Sequence, residues 1–132
     1  MKIGIMSEPL VRARLLAIAR GDYVAGPEEP KVWYSSVNAI AQILSPENIA
    51  LLRLIDEQKP ESLTTLAKLA GRNKSNLSIT LKSLSVKGFV KLEKMPRNLV
   101  KPIALHTDFE IISNAKAEAV FKTFDTNDQS AN

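Results

Sequence analysis

The sequence predicts an α+β, mainly helical fold: a winged helix-turn-helix domain with an N-terminal strand and helix and a C-terminal helix. Two observations predict it. Three short helical segments follow one another between residues 46 and 87, and a glycine corner separates the second from the third. Two strand-like runs joined by a basic turn come directly after them. Three helices followed by a two-stranded hairpin, the wing, is the element order of a winged helix-turn-helix.

The N-terminal extension, residues 1–32, begins with a predicted strand over "KIGIM". Ser7-Glu8-Pro9 has the cap, acid and early proline of a helix start, and we expect this helix to stop at Gly21. A loop over "DYVAGPEEP" follows. Helical spacing predicts which residues of the helix face the core: Val11, Leu15 and Ile18, with Leu16 and Ala19 beside them.

The predicted domain core, residues 33–112, opens with a short strand within "KVWYS" and a helix over "SVNAIAQIL". Ser45-Pro46-Glu47 repeats the cap, proline and acid signature, and Lys59-Pro60 ends the helix that it starts. We expect this helix to turn four apolar residues toward the core: Ile49, Leu52, Leu54 and Ile55.

The helix-turn-helix follows. Ser62 is the predicted cap of "LTTLAKLAG", which closes at Gly71, where the chain can turn with positive φ. A new cap near Asn73 opens "KSNLSITLKSLSVKG". The leucines of this helix recur at i, i+4 and i+7 and are expected to anchor it to the core: Leu77, Leu81 and Leu84.

The wing is predicted from "FVKLEKM" and "KPIALHTDFEII", two strands joined by "PRNLV", with His106 in the second strand. A C-terminal helix is expected over 113–124 and a disordered polar tail over 125–132. The length of 132 residues and the apolar content of 45% favour one domain, over residues 1–124.

Charge is distributed unevenly along the chain. The segment from Lys59 to Lys101 holds ten basic residues and two acids, a net +8, whereas the whole chain has a net charge of only +4. Such asymmetry favours a nucleic-acid partner. Basic residues that merely solvate the outside of helices are the alternative.

The side of the last helix opposite its leucines carries Ser75, Ile79, Lys82 and Val86. Lys74, Asn76 and Ser78 lie near its start, where side chains and free backbone N–H groups could reach bases or phosphates. Ile79 and Val86 are apolar, so they could meet thymine methyl groups or a protein partner. Both interpretations stay open.

The wing turn is basic as well. Lys94, Arg97 and Lys101 surround Pro96-Arg97-Asn98, so the tip could reach a phosphate or the minor groove. A hairpin whose edge is protected by lysines is the alternative. The position directly after a basic helix-turn-helix favours the DNA contact.

Several short motifs resemble those of the MarR-like winged helix-turn-helix transcriptional regulators of bacteria and archaea, many of which are encoded beside small toxin genes. They lie between Trp33 and Ile111: Leu44-Ser45-Pro46, Pro60-Glu61-Ser62-Leu63, Leu66-Ala67, Gly71-Arg72 and Gly88-Phe89-Val90. The resemblance implies sequence-specific binding to duplex DNA as a dimer and, in the toxin-linked branch, an antitoxin that neutralises its toxin. It places Ser75, Asn76, Ser78, Ile79 and Lys82 at recognition-helix positions, and Ile79 departs from the basic or polar residue usual there.

We therefore expect a cytoplasmic, homodimeric DNA-binding regulator, with an antitoxin that binds a small toxin as the alternative. No enzyme activity, metal or cofactor is expected, since the chain has no cysteine and a single histidine, His106, and the neighbouring Asp56 and Glu57 point apart on a helix. No stretch reads as a signal peptide or membrane span. The residues predicted to contact DNA lie on the helix-turn-helix and the wing: Arg72, Asn73, Lys74, Ser75, Asn76, Ser78, Ile79, Lys82, Lys94, Arg97, Asn98 and Lys101.

Overall fold

The computed structural model describes residues 1–130, which form two compact units. Unit 1 comprises Met1–Gln42 and the chain from Phe109 onward, and unit 2 comprises Ile43–Asp108. The winged part is thus shorter at both ends than the predicted core of residues 33–112. Residues 1–124 are divided between the two units. That they form one domain stays a prediction.

Unit 1 contains a three-stranded parallel sheet and three helices: β1 (Lys2–Ile5), α1 (Glu8–Ala19), β2 (Val32–Tyr34), α2 (Val37–Ile43, whose last residue belongs to unit 2), β5 (Glu110–Ile112) and α6 (Ala115–Ser130). The strand order is β2-β1-β5, with β1 in the centre. Ile3 pairs with Val32 on one side and with Ile111 on the other. A parallel pair requires a crossover, and α1 supplies the one between β1 and β2.

Two predictions for the C-terminal part are corrected. Residues 110–112, predicted as the end of the second wing strand, instead pair with β1. α6 continues to Ser130, whereas a disordered tail was predicted from residue 125. Of that tail, residues 131–132 lie outside the described part of the chain. Asn114 starts α6 by accepting from the backbone N–H groups of Lys116 and Ala117 at 2.9 and 3.1 Å.

α1 buries a different side from the one predicted. Its buried residues are Leu10, Ala13, Arg14 and Ala17, whereas Leu15 is 58% exposed. Apolar residues recur with helical spacing on both sides of α1, so the sequence alone does not determine which side is buried. The packing partner determines it: α1 lies against α6, and Leu10 packs with Phe121 of that helix. Ser7 precedes the helix as expected, but its side chain makes no cap hydrogen bond.

The buried Arg14 is stabilised within unit 1. Its Nε lies 3.9 Å from Oε1 of Glu29, and its guanidinium carbon lies 5.4 Å from the ring centroid of Trp33. The hydroxyl of Tyr23 donates to the same Glu29 oxygen at 2.7 Å, and this hydrogen bond raises the pKa of Tyr23. Trp33 therefore has a packing role within unit 1.

Gly4 allows the close approach of Trp33, its register partner in the parallel sheet. A Cβ at Gly4 would overlap carbons of the Trp33 indole, so we expect Gly4→Ala to destabilise unit 1 by about 1–3 kcal/mol. Trp33 is the single tryptophan, so its fluorescence during urea unfolding reports this change. Gly26→Ala is the matched control, since its Cβ would meet only Glu29 at 3.7 Å. Equal midpoints for the two variants would contradict the expectation.

Unit 2 is a winged helix-turn-helix. Its elements are α3 (Pro46–Gln58), α4 (Leu63–Ala70), α5 (Lys74–Val86), β3 (Val90–Met95), a 3₁₀ turn (Pro96–Asn98) and β4 (Leu99–Ala104). Within residues 1–130, β3 and β4 pair only with each other, in antiparallel register from Val90 opposite Ala104 to Met95 opposite Leu99. The predicted fold class is confirmed.

The predicted helix starts and anchor in unit 2 are confirmed. Ser45 and Ser62 accept from the backbone N–H three residues later, each at 3.2 Å. The anchor leucines of α5 are almost fully buried: Leu77, Leu81 and Leu84. In α3 the buried residues are Leu51, Leu52 and Ile55, so Leu51 is added to the predicted core, while Ile49 and Leu54 are half-buried.

The wing ends earlier than predicted, at Ala104, and the chain that follows β4 contacts α3. Nε of Arg53 donates to the carbonyl oxygen of Thr107 at 3.3 Å, and the Arg53 guanidinium lies 3.7 Å from the Asp108 carboxylate. His106 consequently lies in this connecting segment and not in a strand. Burial lowers the pKa of His106.

Candidate nucleic-acid interface

The turn between α4 and α5 brings the two helices together. Gly71 ends α4 with φ at 65°, in the left-handed region that favours glycine, and the backbone N–H of Arg72 donates to the Ala67 carbonyl at 3.1 Å. The corner expected from the sequence is therefore present. α4 and α5 contact each other, and the side of α5 opposite its leucine anchor is exposed.

Asn73 caps α5. Its side-chain oxygen accepts from the backbone N–H groups of Ser75 and Asn76, at 2.8 and 3.4 Å. These first-turn N–H groups were expected to be free for a phosphate, and this expectation is corrected because they already have a partner within the chain. The N–H groups of Ser75 and Asn76 are therefore not free for a phosphate, and Lys74 is the exposed cation at this end of α5.

Arg72 leans on α5. One terminal nitrogen of its guanidinium donates to Oγ1 of Thr80 at 3.3 Å, and the other terminal nitrogen is buried. Arg72 therefore helps to hold the corner against the helix, while a DNA contact by Arg72 stays a prediction. The contact between Arg72 and Thr80 was not predicted from the sequence. The two residues are eight positions apart and separated by a turn, and no sequence pattern indicates a side-chain contact at that spacing.

The outward side of α5 is exposed over its whole length. The predicted residues on it are exposed together: Ser75, Ile79, Lys82 and Val86. Lys74 and Asn76 are exposed at the start of the helix, whereas Ser78 is half-buried. The exposed fractions of the two apolar members are large, 69% for Ile79 and 84% for Val86.

The wing separates the basic residues that the sequence grouped. Lys94 pairs with Val100, and Glu93 pairs with Lys101. Side chains of neighbouring strand residues point to opposite faces, so Lys94 and Lys101 project from opposite faces of the hairpin. The hairpin therefore presents one of these two lysines on each face.

The wing tip consists of exposed polar residues. Arg97 and Asn98 both have positive φ, 65° and 59°, and both are exposed. Asparagine adopts this region readily, whereas for arginine it is unfavourable. This conformation lies at the end of the hairpin, where the Arg97 side chain is exposed.

Unit 2 carries the net positive charge of the chain. The unit carries eleven basic and six acidic residues, a net +5, while the rest of the chain has seven basic and eight acidic residues, a net −1. No acid occurs between Glu61 and Glu93, a stretch that includes α4, the turn and α5. The acids of unit 2 lie elsewhere, on α3, beside Ser62, on β3 and at Asp108.

The sequence model of the HVO_A0114 family matches residues 43–111, slightly more than half of the chain. The chain belongs to the HVO_A0114 family. The HVO_A0114 match covers the whole of unit 2 and ends in β5, and it falls within the segment that carries the MarR-like resemblance. A comparison with curated proteins found no match.

Solved structures similar to this HVO_A0114 chain include two regulators. One is described as a predicted DNA-binding transcriptional regulator from Escherichia coli, and the alignment covers 87% of this chain and 97% of that one. The other is MepR, a transcription regulator of the Staphylococcus aureus multidrug efflux pump MepA, with 71% of this chain and 68% of that one covered. Each is 16% identical to this chain, with a TM-score of 0.43.

Within the described residues, no cluster of three or more metal-ligating side chains occurs. None of the helices in the described part of the chain is both long and apolar enough to cross a bilayer. An apolar groove between α3 and α4 contains Ala50, Leu54 and Leu69, with Glu47 and Arg72 at its edge. This groove could not be predicted from the sequence, since residues of two helices form it together.

Proposed function

We propose that this protein is a transcriptional regulator that binds duplex DNA sequence-specifically. α5, predicted as the recognition helix over residues 74–87, enters the major groove, and the wing over residues 94–101 contacts the DNA backbone. The observation that carries the proposal is the outward side of α5, which is exposed, lacks acids and lies in an acid-free stretch that runs from residue 62 to residue 92.

The dimensions suit this interaction. An α-helix with its side chains is about 10–12 Å wide, and the major groove of B-DNA is about 12 Å wide. Lys74 and Lys82 are the cations of α5 that lie away from the anchor, and they supply phosphate contacts. Ser75 and Asn76 are short polar side chains that can bond base edges. Arg97 at the wing tip reaches a neighbouring phosphate or the minor groove.

We further propose that the regulator is a cytoplasmic homodimer. Two copies would place two α5 helices in successive major grooves about 34 Å apart, so the binding site would be a palindrome with half-sites about one helical turn apart. The antitoxin alternative stays a prediction, and copurification with the product of a neighbouring small gene would test it.

A salt titration tests DNA binding. Binding of the full chain to duplex DNA from upstream of its own gene is measured by fluorescence anisotropy at several salt concentrations from about 50 to 200 mM. The logarithm of the affinity is expected to fall linearly with the logarithm of the salt concentration, with a slope of about −0.9 per phosphate contacted. Absence of binding at the lowest salt would overturn the proposal, and a flat salt dependence would exclude the basic surface as its cause.

A further inference from the structure

On the surface of α5, Ile79 is an apolar residue with polar neighbours. It is 69% exposed and lies near the middle of the outward side of α5. Residues three and four positions away are its neighbours on the helix surface. On the outward side all four of these are polar and exposed: Ser75, Asn76, Lys82 and Ser83.

This arrangement does not suit a protein-docking helix. Such a helix presents apolar residues at i, i+3 or i+4, and i+7, which together form one continuous patch. On the outward side of α5, the other exposed apolar residue is Val86, seven residues and about two turns further on. A single apolar side chain among hydrogen-bonding groups instead matches a surface that is polar but contains one methyl group.

The major-groove edge of an A·T pair is such a surface. It presents the N7 acceptor and the N6 donor of adenine, followed by the O4 acceptor and the C5 methyl group of thymine. Asn76, three residues before Ile79, is of the residue type that bonds adenine at N6 and N7. Their Cβ atoms are about 5–6 Å apart on a helix surface, so the two side chains can reach the same base pair or neighbouring ones.

We propose that Ile79 reads thymine, by packing its side chain against the C5 methyl group of a thymine within one or two base pairs of the base that Asn76 contacts. The inference rests on the proposed function and deepens it. It makes Ile79 a specificity-determining residue and gives the binding site an obligatory A·T pair. It also accounts for the departure of Ile79 from the usual basic or polar residue.

Uracil substitution tests the inference. A preferred duplex is first selected from a random pool by the full-length protein, and each thymine in it is then replaced singly by uracil. Uracil keeps the base pairing and lacks only the methyl group. We expect the affinity to fall about fourfold at each contacted thymine, the equivalent of one buried CH₂-sized group, and to stay unchanged at the others.

Two variants test whether Ile79 is the residue that contacts the thymine methyl group. Ile79→Ala is expected to bind the thymine and uracil duplexes equally, whereas Val86→Ala, the matched exposed apolar control on the same helix, is expected to keep the fourfold difference. Circular dichroism establishes that both variants fold. The uracil substitutions measured with the unmodified protein do not depend on whether either variant folds.

The outcomes separate the two proposals. If the protein binds duplex DNA with a steep salt dependence but no uracil substitution matters, the inference about Ile79 is overturned and the regulator function stands. If Ile79→Ala keeps the preference for thymine, another residue reads the methyl group and the inference is likewise overturned. If no duplex is bound at all, both proposals fail.

Discussion

The double charge reversal Lys74→Glu and Lys82→Glu is expected to weaken duplex DNA binding by at least about a hundredfold at moderate salt, with the chain still folded. Both lysines are exposed on α5 and neither takes part in its anchor. Under the proposed function, each reversal would remove a phosphate contact and add repulsion. Exposed helix positions tolerate such changes, usually within about 0.5 kcal/mol of stability.

The control for this variant is Lys116→Glu with Lys122→Glu. These lysines are also exposed and helical, on α6 in unit 1, so the change in net charge is the same. Anisotropy titrations at several salt concentrations should leave the control near the unmodified protein. The salt slope of the α5 variant should become shallower by about 1 per lost contact. Equal losses in both variants would mean that net charge, and not this surface, governs binding.

Leu81→Ala is expected to destabilise the winged helix-turn-helix by about 2–5 kcal/mol. Leu81 is completely buried in the middle of the α5 anchor, so truncation both removes buried apolar area and leaves a cavity. A loss of this size is a large part of the stability of a small domain. Urea unfolding followed by the far-ultraviolet circular dichroism of the helices measures it.

Ile79→Ala is the matched control for Leu81→Ala, two residues earlier on the same helix. Its side chain is mostly exposed, so its truncation should change the unfolding free energy by no more than about 0.5 kcal/mol. The pair therefore tests the orientation of α5 directly. A larger loss at position 79 than at position 81 would mean that the helix is rotated relative to this structure.

Local chemistry could be predicted where a residue acts on its near neighbours. Ser45, Ser62 and Asn73 bond backbone groups within three residues of themselves, so their sequence positions suffice to identify them as caps. Gly71 is required by a local left-handed turn. The leucine repeat of α5 is likewise visible in sequence, because a helix converts spacing into a side.

Contacts between distant segments could not be predicted in this way. Residues 110–112 have the composition of a wing strand, and only pairing with β1 assigns them to the parallel sheet. Leu15 belongs to an apolar stripe of α1 as regular as the buried one, and packing against α6 leaves it outside. The hairpin register likewise separates Lys94 from Lys101, which the sequence placed together.

For this protein, then, the amino-acid order specifies the helices, their caps, the glycine corner and the concentration of positive charge in the middle of the chain, because each depends on interactions over a few residues. Strand partners, the buried side of α1 and the engagement of Arg72 by Thr80 depend on the folded chain, since long-range packing selects among alternatives of similar local energy. Ile79 illustrates both the contribution of the sequence and that of the tertiary structure. Its residue type was evident from the start, and its isolation among exposed polar neighbours became evident once α5 was placed on its leucine anchor.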